Sequence, residues 1–222
     1  MPVRTWIFAV ALCLAGVDVA IASGNDVALP KPSLAGEVSV ERALALRRSV
    51  RAFAPGALPL SVVSQLLWAA QGVTDPAGLR TAPSAGALYP LEIHLVAGAV
   101  SGVAAGVYRY EPRRHQLLRE SEGDVRAGLA EAALSQDWVA EAPAIVVLAA
   151  VYERSARKYG ERAPRYVHME AGHAAQNLYL QATALGLGTT MVGAFRDADV
   201  ARVLGLPANE RPLGLLPIGK PR

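Results

Sequence analysis

Residues 165–195 read RYVHMEAGHAAQNLYLQATALGLGTTMVGAF, and the reading of this stretch decides the fold. From Arg165 to Leu185 the spacing predicts the longest helix of the chain, ended by Gly186 and Gly188. Ala171, Gly172, Ala174, Ala175 and Ala182 make it rich in small residues, so another element must pack very close against it. Thr189 to Gly193 then predicts a short strand. Upstream, Ala144–Val151 is an unbroken apolar run of the kind buried on both faces of a sheet. Leu91–Ala97 alternates as a strand, and Gly106–Glu111 with His115–Arg119 flanks Pro112-Arg113-Arg114 as a hairpin. Helices are predicted after Ser39, after Ser61 as N-cap, around 123–135, and over Asp197–Leu204 with Asp197 as cap; Pro212–Gly219 predicts a last strand. Strands and helices alternate without an internal repeat, which predicts one α+β domain.

Composition sets the outer bounds. The 222 residues are 52% hydrophobic and 18% charged, enough apolar surface for a core and the opposite of a disordered chain. One cysteine excludes a disulfide framework and a cysteine-built metal cage. A formal charge of +3 allows an anionic ligand without arguing for a nucleic-acid surface. Residues 1–22 resemble a secretory leader: Arg4, an apolar run from Trp6 to Leu14, and Ala20-Ile21-Ala22 as a cleavage site. Residues 23–37 then read as a flexible tether and 38–222 as the folded domain. That reading expects an exported, periplasmic protein with no stable membrane anchor.

Four segments could carry chemistry. Arg47-Arg48-Ser49-Val50-Arg51 sets three guanidiniums around a hydroxyl, a compact oxyanion clamp or else a solvated basic helix end. Ala82-Pro83-Ser84-Ala85-Gly86 approaches a nucleophile elbow and raises a serine hydrolase acting through Ser84. Its feeder, however, is a long Gly/Pro/Thr-rich connection over 72–90 rather than a strand, so a ligand-lining loop is the better use. On the long helix, Glu170 and His173 have the spacing of a metal-ligand pair, yet the second such motif that a di-metal site needs is missing. The polar row from His168 to Asn177 therefore reads as an interior network or a ligand wall, with no metal. Gly186 to Phe195 lacks the lysine of a phosphate loop; its small residues permit close approach of backbone amides to a flat ring.

In this order the four segments resemble the FMN-dependent nitroreductase superfamily, and within it the SagB/ThcOx-type dehydrogenases, over about Leu44 to Pro221. The resemblance implies an α+β intertwined homodimer with a mixed sheet flanked by helices and FMN in the subunit interface. It implies that Arg47, Arg48, Ser49 and Arg51 hold the FMN phosphate and ribityl chain. Pro83, Ser84, Ala85 and Gly86 would line the ring from the partner subunit, and Val192, Gly193 and Ala194 would present backbone amides near N5. The azoline oxidases of this family carry a catalytic Lys-Tyr pair, which Lys158-Tyr159 matches: Lys158 as general base, Tyr159 positioning the substrate. The implied function is an FMN-dependent oxidoreductase exchanging hydride with a small nitro, quinone or heterocyclic compound and an electron donor or acceptor. A flavin- or ligand-binding protein without turnover is the alternative.

Overall fold

The computed structural model describes residues 26–222. Seven strands form one sheet in the order β1-β4-β3-β2-β5-β7-β6, all paired antiparallel. The strands are β1 Val27–Ala28, β2 Leu91–Ala97, β3 Gly106–Glu111, β4 Gln116–Glu122, β5 Ala144–Ala150, β6 Gly188–Thr189 and β7 Arg211–Gly219. The mixed character expected of the sheet survives only in isolated parallel bridges, Ser49 to Thr189 and Leu58 to Val100.

β5 lies inside the sheet between β2 and β7, and every one of its residues is buried. An unbroken apolar run fits there because helices cover both faces of the sheet. On one face β5 contributes Val146 and Leu148 to a core completed by helices α2 (Leu60–Gln71) and α6 (Ala163–Ala184). On the other, Ile145 and Val147 pack with α3 (Arg126–Ala132) and α7 (Asp197–Leu204), and with Val139 of the one-turn α4 (Trp138–Glu141). Each such side chain contributes about 1.5–3 kcal/mol by leaving water. α1 (Val40–Leu46) is capped by Ser39, whose Oγ accepts from the Arg42 amide at 3.2 Å. Of its apolar positions only Ala43 is buried; Val40, Leu44 and Leu46 remain 64, 52 and 47% exposed.

Five local expectations differ from the structure. The strand expected over Thr189–Gly193 is reduced to β6, Gly188–Thr189, with Val192 joined to Leu215 only by an isolated bridge. Residues 27–28, placed in a tether, pair with β4 through Val27–Leu117 and Ala28–Gln116. The following turn is held by the Ser64 hydroxyl, which donates to the Pro30 carbonyl at 2.6 Å, while His115 bridges Pro30, Ser64 and the Tyr110 hydroxyl. α2 starts one residue before Ser61, with Pro59 as its N-cap, because Pro59 has the fixed φ that suits a helix entry. Asp197 is the first residue of α7, where its charge favours the amino end of the helix, rather than the cap. Finally, Tyr152–Tyr159 forms a helix, α5, that the sequence reading leaves as loop.

β2 also carries a buried ionic cluster. His94, fully buried, bonds Glu120 through Nδ1 at 2.8 Å and Glu210 through Nε2 at 2.9 Å. Burial disfavours its charged form, but hydrogen bonds to the two carboxylates outweigh burial and raise its pKa to about 9.

Candidate functional site

α6 organises the candidate residues, because its two halves each gather a different group of them. Near its C-terminal end, Tyr179 is the meeting point of the Arg47-Ser49 segment. Arg47 is the C-cap of α1, as expected of a segment at the end of the first helix, and from it the chain runs on in extended form through Ser49. The Arg47 guanidinium lies 5.4 Å from the centre of the Tyr179 ring, and the Ser49 backbone bridges to Thr189, next to the Thr190 that this ring's hydroxyl contacts. That hydroxyl donates to Thr190 Oγ1 at 3.2 Å and accepts from the Met191 amide at 2.7 Å. Burial would raise the phenol's pKa, but these hydrogen bonds and the Arg47 charge hold it below its usual value. Ser49 reaches this position because Val50 lies flat on Gly188: a Cβ there would stand 2.5 Å from Val50 Cβ.

Arg51 points elsewhere, over Trp138 at 5.9 Å. Arg48 does not join the cluster; its guanidinium turns back to donate to the Ala45 and Arg47 carbonyls at 3.1 and 2.7 Å. Among the described residues neither Arg47 nor Arg51 belongs to an ion pair.

The N-terminal half of α6 holds the second group. Pro83, Ser84 and Ala85 line a cavity of about 290 Å³ together with Tyr166, Met169, Glu170 and His173 of α6. Ser84 enters no α-helix but a single 3-10 turn over Ala85–Ala87, and no strand feeds it, so the elbow geometry of a serine hydrolase is absent. Ser84 Oγ accepts from the Tyr89 amide at 2.9 Å and shares the cavity wall with Glu170. Gly86 adopts φ +64°, and a methyl group on it would stand 2.8 Å from Tyr159 Oη and 3.1 Å from Lys158 Nζ. The predicted Lys-Tyr pair, at the end of α5, is thus brought to the predicted loop. Tyr159 is fixed edge-on against Tyr166, with ring centres 4.9 Å apart.

Glu170 is the charged residue behind that loop. It is 2% exposed and accepts from Gln71 Nε2 at 3.4 Å, while Arg80 donates to Gln71 Oε1 at 3.2 Å. Burial pushes its pKa up to about 7, against the opposing influence of Ser84, Arg80 and Gln71.

The third predicted group divides. The Val192 amide is committed to the Leu215 carbonyl at 2.8 Å, whereas Gly193 and Ala194 are exposed. Gln136 donates to the Ala194 carbonyl at 3.2 Å. Sequence reasoning missed Tyr179, Thr190, Arg80 and Trp138. Tyr179 lies in a helix whose other signals are small residues, and nothing local marks its hydroxyl. A wider groove of about 730 Å³ lies between the 31–40 segment and α2/α6; none of the predicted site residues lines it.

Sheet and flanking helices define the α+β class, and similarity gives the family. The chain belongs to the Nitroreductase family, whose model matches residues 44–220. A protein of Methanocaldococcus jannaschii assigned to the nitroreductases is 50% identical over 184 residues, 83% of this chain and 92% of that one. A crystal structure assigned as a nitroreductase from Ralstonia eutropha superposes with a TM-score of 0.78 at 28% identity, covering 100% of this chain and 98% of its own. The NADPH:FMN oxidoreductase of Vibrio harveyi shares the fold at a TM-score of 0.60 and 22% identity, over 82% of this chain and 68% of its own. The archaeal relationship contradicts the expected periplasmic localisation, since half the residues are shared with a protein of an archaeon over nearly its full length. The leader-like residues 1–22 on which that expectation rested lie outside the described residues.

Proposed function

We propose that the protein is an FMN-dependent oxidoreductase that accepts hydride from one small molecule and delivers it to another in separate half-reactions. The observation that carries this reading is the convergence of Arg47 and Ser49 on the Tyr179–Thr190 pair. A guanidinium free of carboxylates beside a cluster of hydroxyls is the donor set that a phosphate monoester requires. The residues present therefore fit FMN. Arg47 and Ser49 would hold its phosphate end, Arg51 its polar chain or ring edge, and Pro83, Ser84, Ala85 and Gly86 would line the ring. Gly193 and Ala194 would supply amides, a role the pairing of Val192 with Leu215 leaves to them. Bound FMN would supply hydride exchange at its N5, chemistry that side chains alone do not provide.

Lys158 and Tyr159 have the placement to act on substrate in this site. Both occupy the space beside Gly86 where a side chain would stand, so a molecule resting on the loop meets the Lys158 amine and a phenol together. Lys158 would take a proton from the substrate as hydride leaves it; Tyr159, braced by Tyr166, would orient it. A cavity of about 290 Å³ suits a small nitro, quinone or heterocyclic ring. We further infer a homodimer, supported by the exposure of Leu34, Val40, Leu44 and Met169 at 86, 64, 52 and 52%.

The test is direct. Purified full-length protein incubated with FMN and then gel-filtered should carry flavin absorbance with the protein, and anaerobic NADH or NADPH should bleach it. Protein that emerges colourless contradicts the cofactor; retained flavin that no donor or heterocyclic substrate reduces contradicts the turnover.

A further inference from the structure

The turn that leads into α4, residues 133–138, touches two segments of the site that lie far apart in the chain. Trp138 carries the Arg51 guanidinium, 5.9 Å from its ring centre. Two residues earlier, Gln136 Nε2 donates to the Ala133 carbonyl at 2.7 Å and to the Ala194 carbonyl at 3.2 Å. Both neighbours are acceptors, so the nitrogen of the carboxamide must face them, and both of its hydrogens are used. Leu134 and Ser135 stand in the left-handed region in succession, at φ 60° and 58°. Neither is a glycine, and such backbone persists only where surrounding contacts over-determine it.

Residues 193–195 are held at both ends. Val192 exchanges amide–carbonyl bonds with Leu215 at 2.8 and 3.0 Å, and the Arg196 amide donates to the Ala132 carbonyl at 2.9 Å. Between these anchors the amides of Gly193, Ala194 and Phe195 donate to no acceptor among the described residues. Gln136 fixes the middle of the span. A trans peptide is planar with its N–H opposite its C=O, so holding the Ala194 carbonyl at Gln136 turns the Phe195 N–H away from the turn.

We propose that Gln136 is a positioning residue of the ligand site: by holding the Ala194 carbonyl it sets the peptide that presents the Phe195 amide, so the donor strip runs from Gly193 to Phe195 rather than from Val192 to Ala194. Gln136 acts through the backbone and does not itself touch the ligand. The identity of the ligand rests on the flavin reading above, in which a ring with acceptor atoms on its edge lies against this strip. Amides free of protein acceptors suit such an edge, whose atoms gain electron density on reduction. The contact of Trp138 with Arg51 puts the same turn on a second group of that site.

Riboflavin is the probe, because it has the ring without the phosphate that Arg47 and Ser49 would hold. Gln136→Met keeps the length of the side chain and removes the donor, while Asp137→Asn alters an exposed side chain of the same turn that makes no cap bond. Titrated into the full-length protein, riboflavin should bind Gln136→Met about fivefold more weakly than wild type, the scale of one neutral hydrogen bond. The FMN-loaded variant should also show a more negative reduction potential, since donors at the ring edge favour the electron-rich reduced form. Asp137→Asn should match wild type in both. A Gln136→Met protein with wild-type affinity and potential overturns the proposal, as does an equal loss in Asp137→Asn. A second measurement needs no flavin: in ligand-free Gln136→Met, ¹⁵N–¹H spectra should show the Phe195 amide resonance displaced, while that of Leu215, fixed by Val192, stays in place. A Phe195 resonance that does not move refutes the link between Gln136 and the strip. If wild type binds neither riboflavin nor FMN, the flavin reading fails and the ligand named here fails with it, and the Phe195 resonance still decides whether Gln136 sets the strip.

Discussion

Gly86 shows how much of the site depends on a single missing side chain. Its φ of +64° is costly for other residues, and the space a methyl would fill is taken by Tyr159 Oη and Lys158 Nζ. Gly86→Ala should destabilise the protein by about 1 kcal/mol and lower kcat more than KM, because it pushes the Lys-Tyr pair off the loop. Denaturant melts combined with steady-state kinetics check both parts. The arginines predict a contrast between neighbours. Arg47→Ala or Arg51→Ala should weaken FMN binding by about 1.5–3 kcal/mol, the scale of a charged hydrogen bond, whereas Arg48→Ala, whose guanidinium serves the local backbone, should change it little. Fluorescence titration of the three variants distinguishes them, and equal losses would contradict the geometry.

His94 gives a pH prediction of definite sign. Its folded pKa is about 9, above the roughly 6.5 of a free imidazole. The stability it contributes is therefore fully present below about 6.5 and lost as pH rises through 9. Urea melts should show stability declining by a few kcal/mol between about pH 7 and pH 9.5, and His94→Gln should flatten that decline. Stability that rises across this window would contradict a charged His94.

At the scale of elements, β5 is where sequence and structure agree most closely. Leu148 is fully buried in the sheet interior, and Leu148→Ala should cost about 2–5 kcal/mol, measurable by urea denaturation at constant m. Elements with an apolar period or an unbroken apolar run were legible: β2, β5, α2, α6 and β7 lie where the pattern puts them, within a residue or two. α5 was not, for a physical reason. Its sequence YERSARKY buries only Ser155, so it carries no apolar stripe and its helix rests on α6 and the loop beneath it. β1 escaped because it is two residues long and its pairing with β4 is held by Ser64 and His115, both distant in sequence. The site was legible as segments and not as geometry. Arg47, Ser49, Ser84, Gly86, Lys158 and Tyr159 could be singled out by type. That the first pair lies beside Tyr179 and Glu170 backs the loop depends on α6 spanning both groups; nine residues along a helix set them about 14 Å apart.

For the molecule as a whole, the apolar positions that the chain leaves uncovered carry the prediction. Val40 and Leu44 are successive turns of one face of α1, and Leu34 and Val40 border the 730 Å³ groove. Sedimentation velocity of the full chain should give a dimer, and Val40→Glu with Leu44→Glu should shift it toward monomer. A monomeric wild type at micromolar concentration would contradict the inferred dimer. The central claim, that this nitroreductase-fold chain works through FMN gripped at Arg47 and Ser49, is tested most directly by FMN titration of wild type beside the Arg47→Ala, Ser49→Ala double variant. The account predicts saturable quenching of flavin fluorescence at one FMN per chain, with affinity at least tenfold weaker in the variant. Equal affinity in both, or no binding by the wild type, would contradict it.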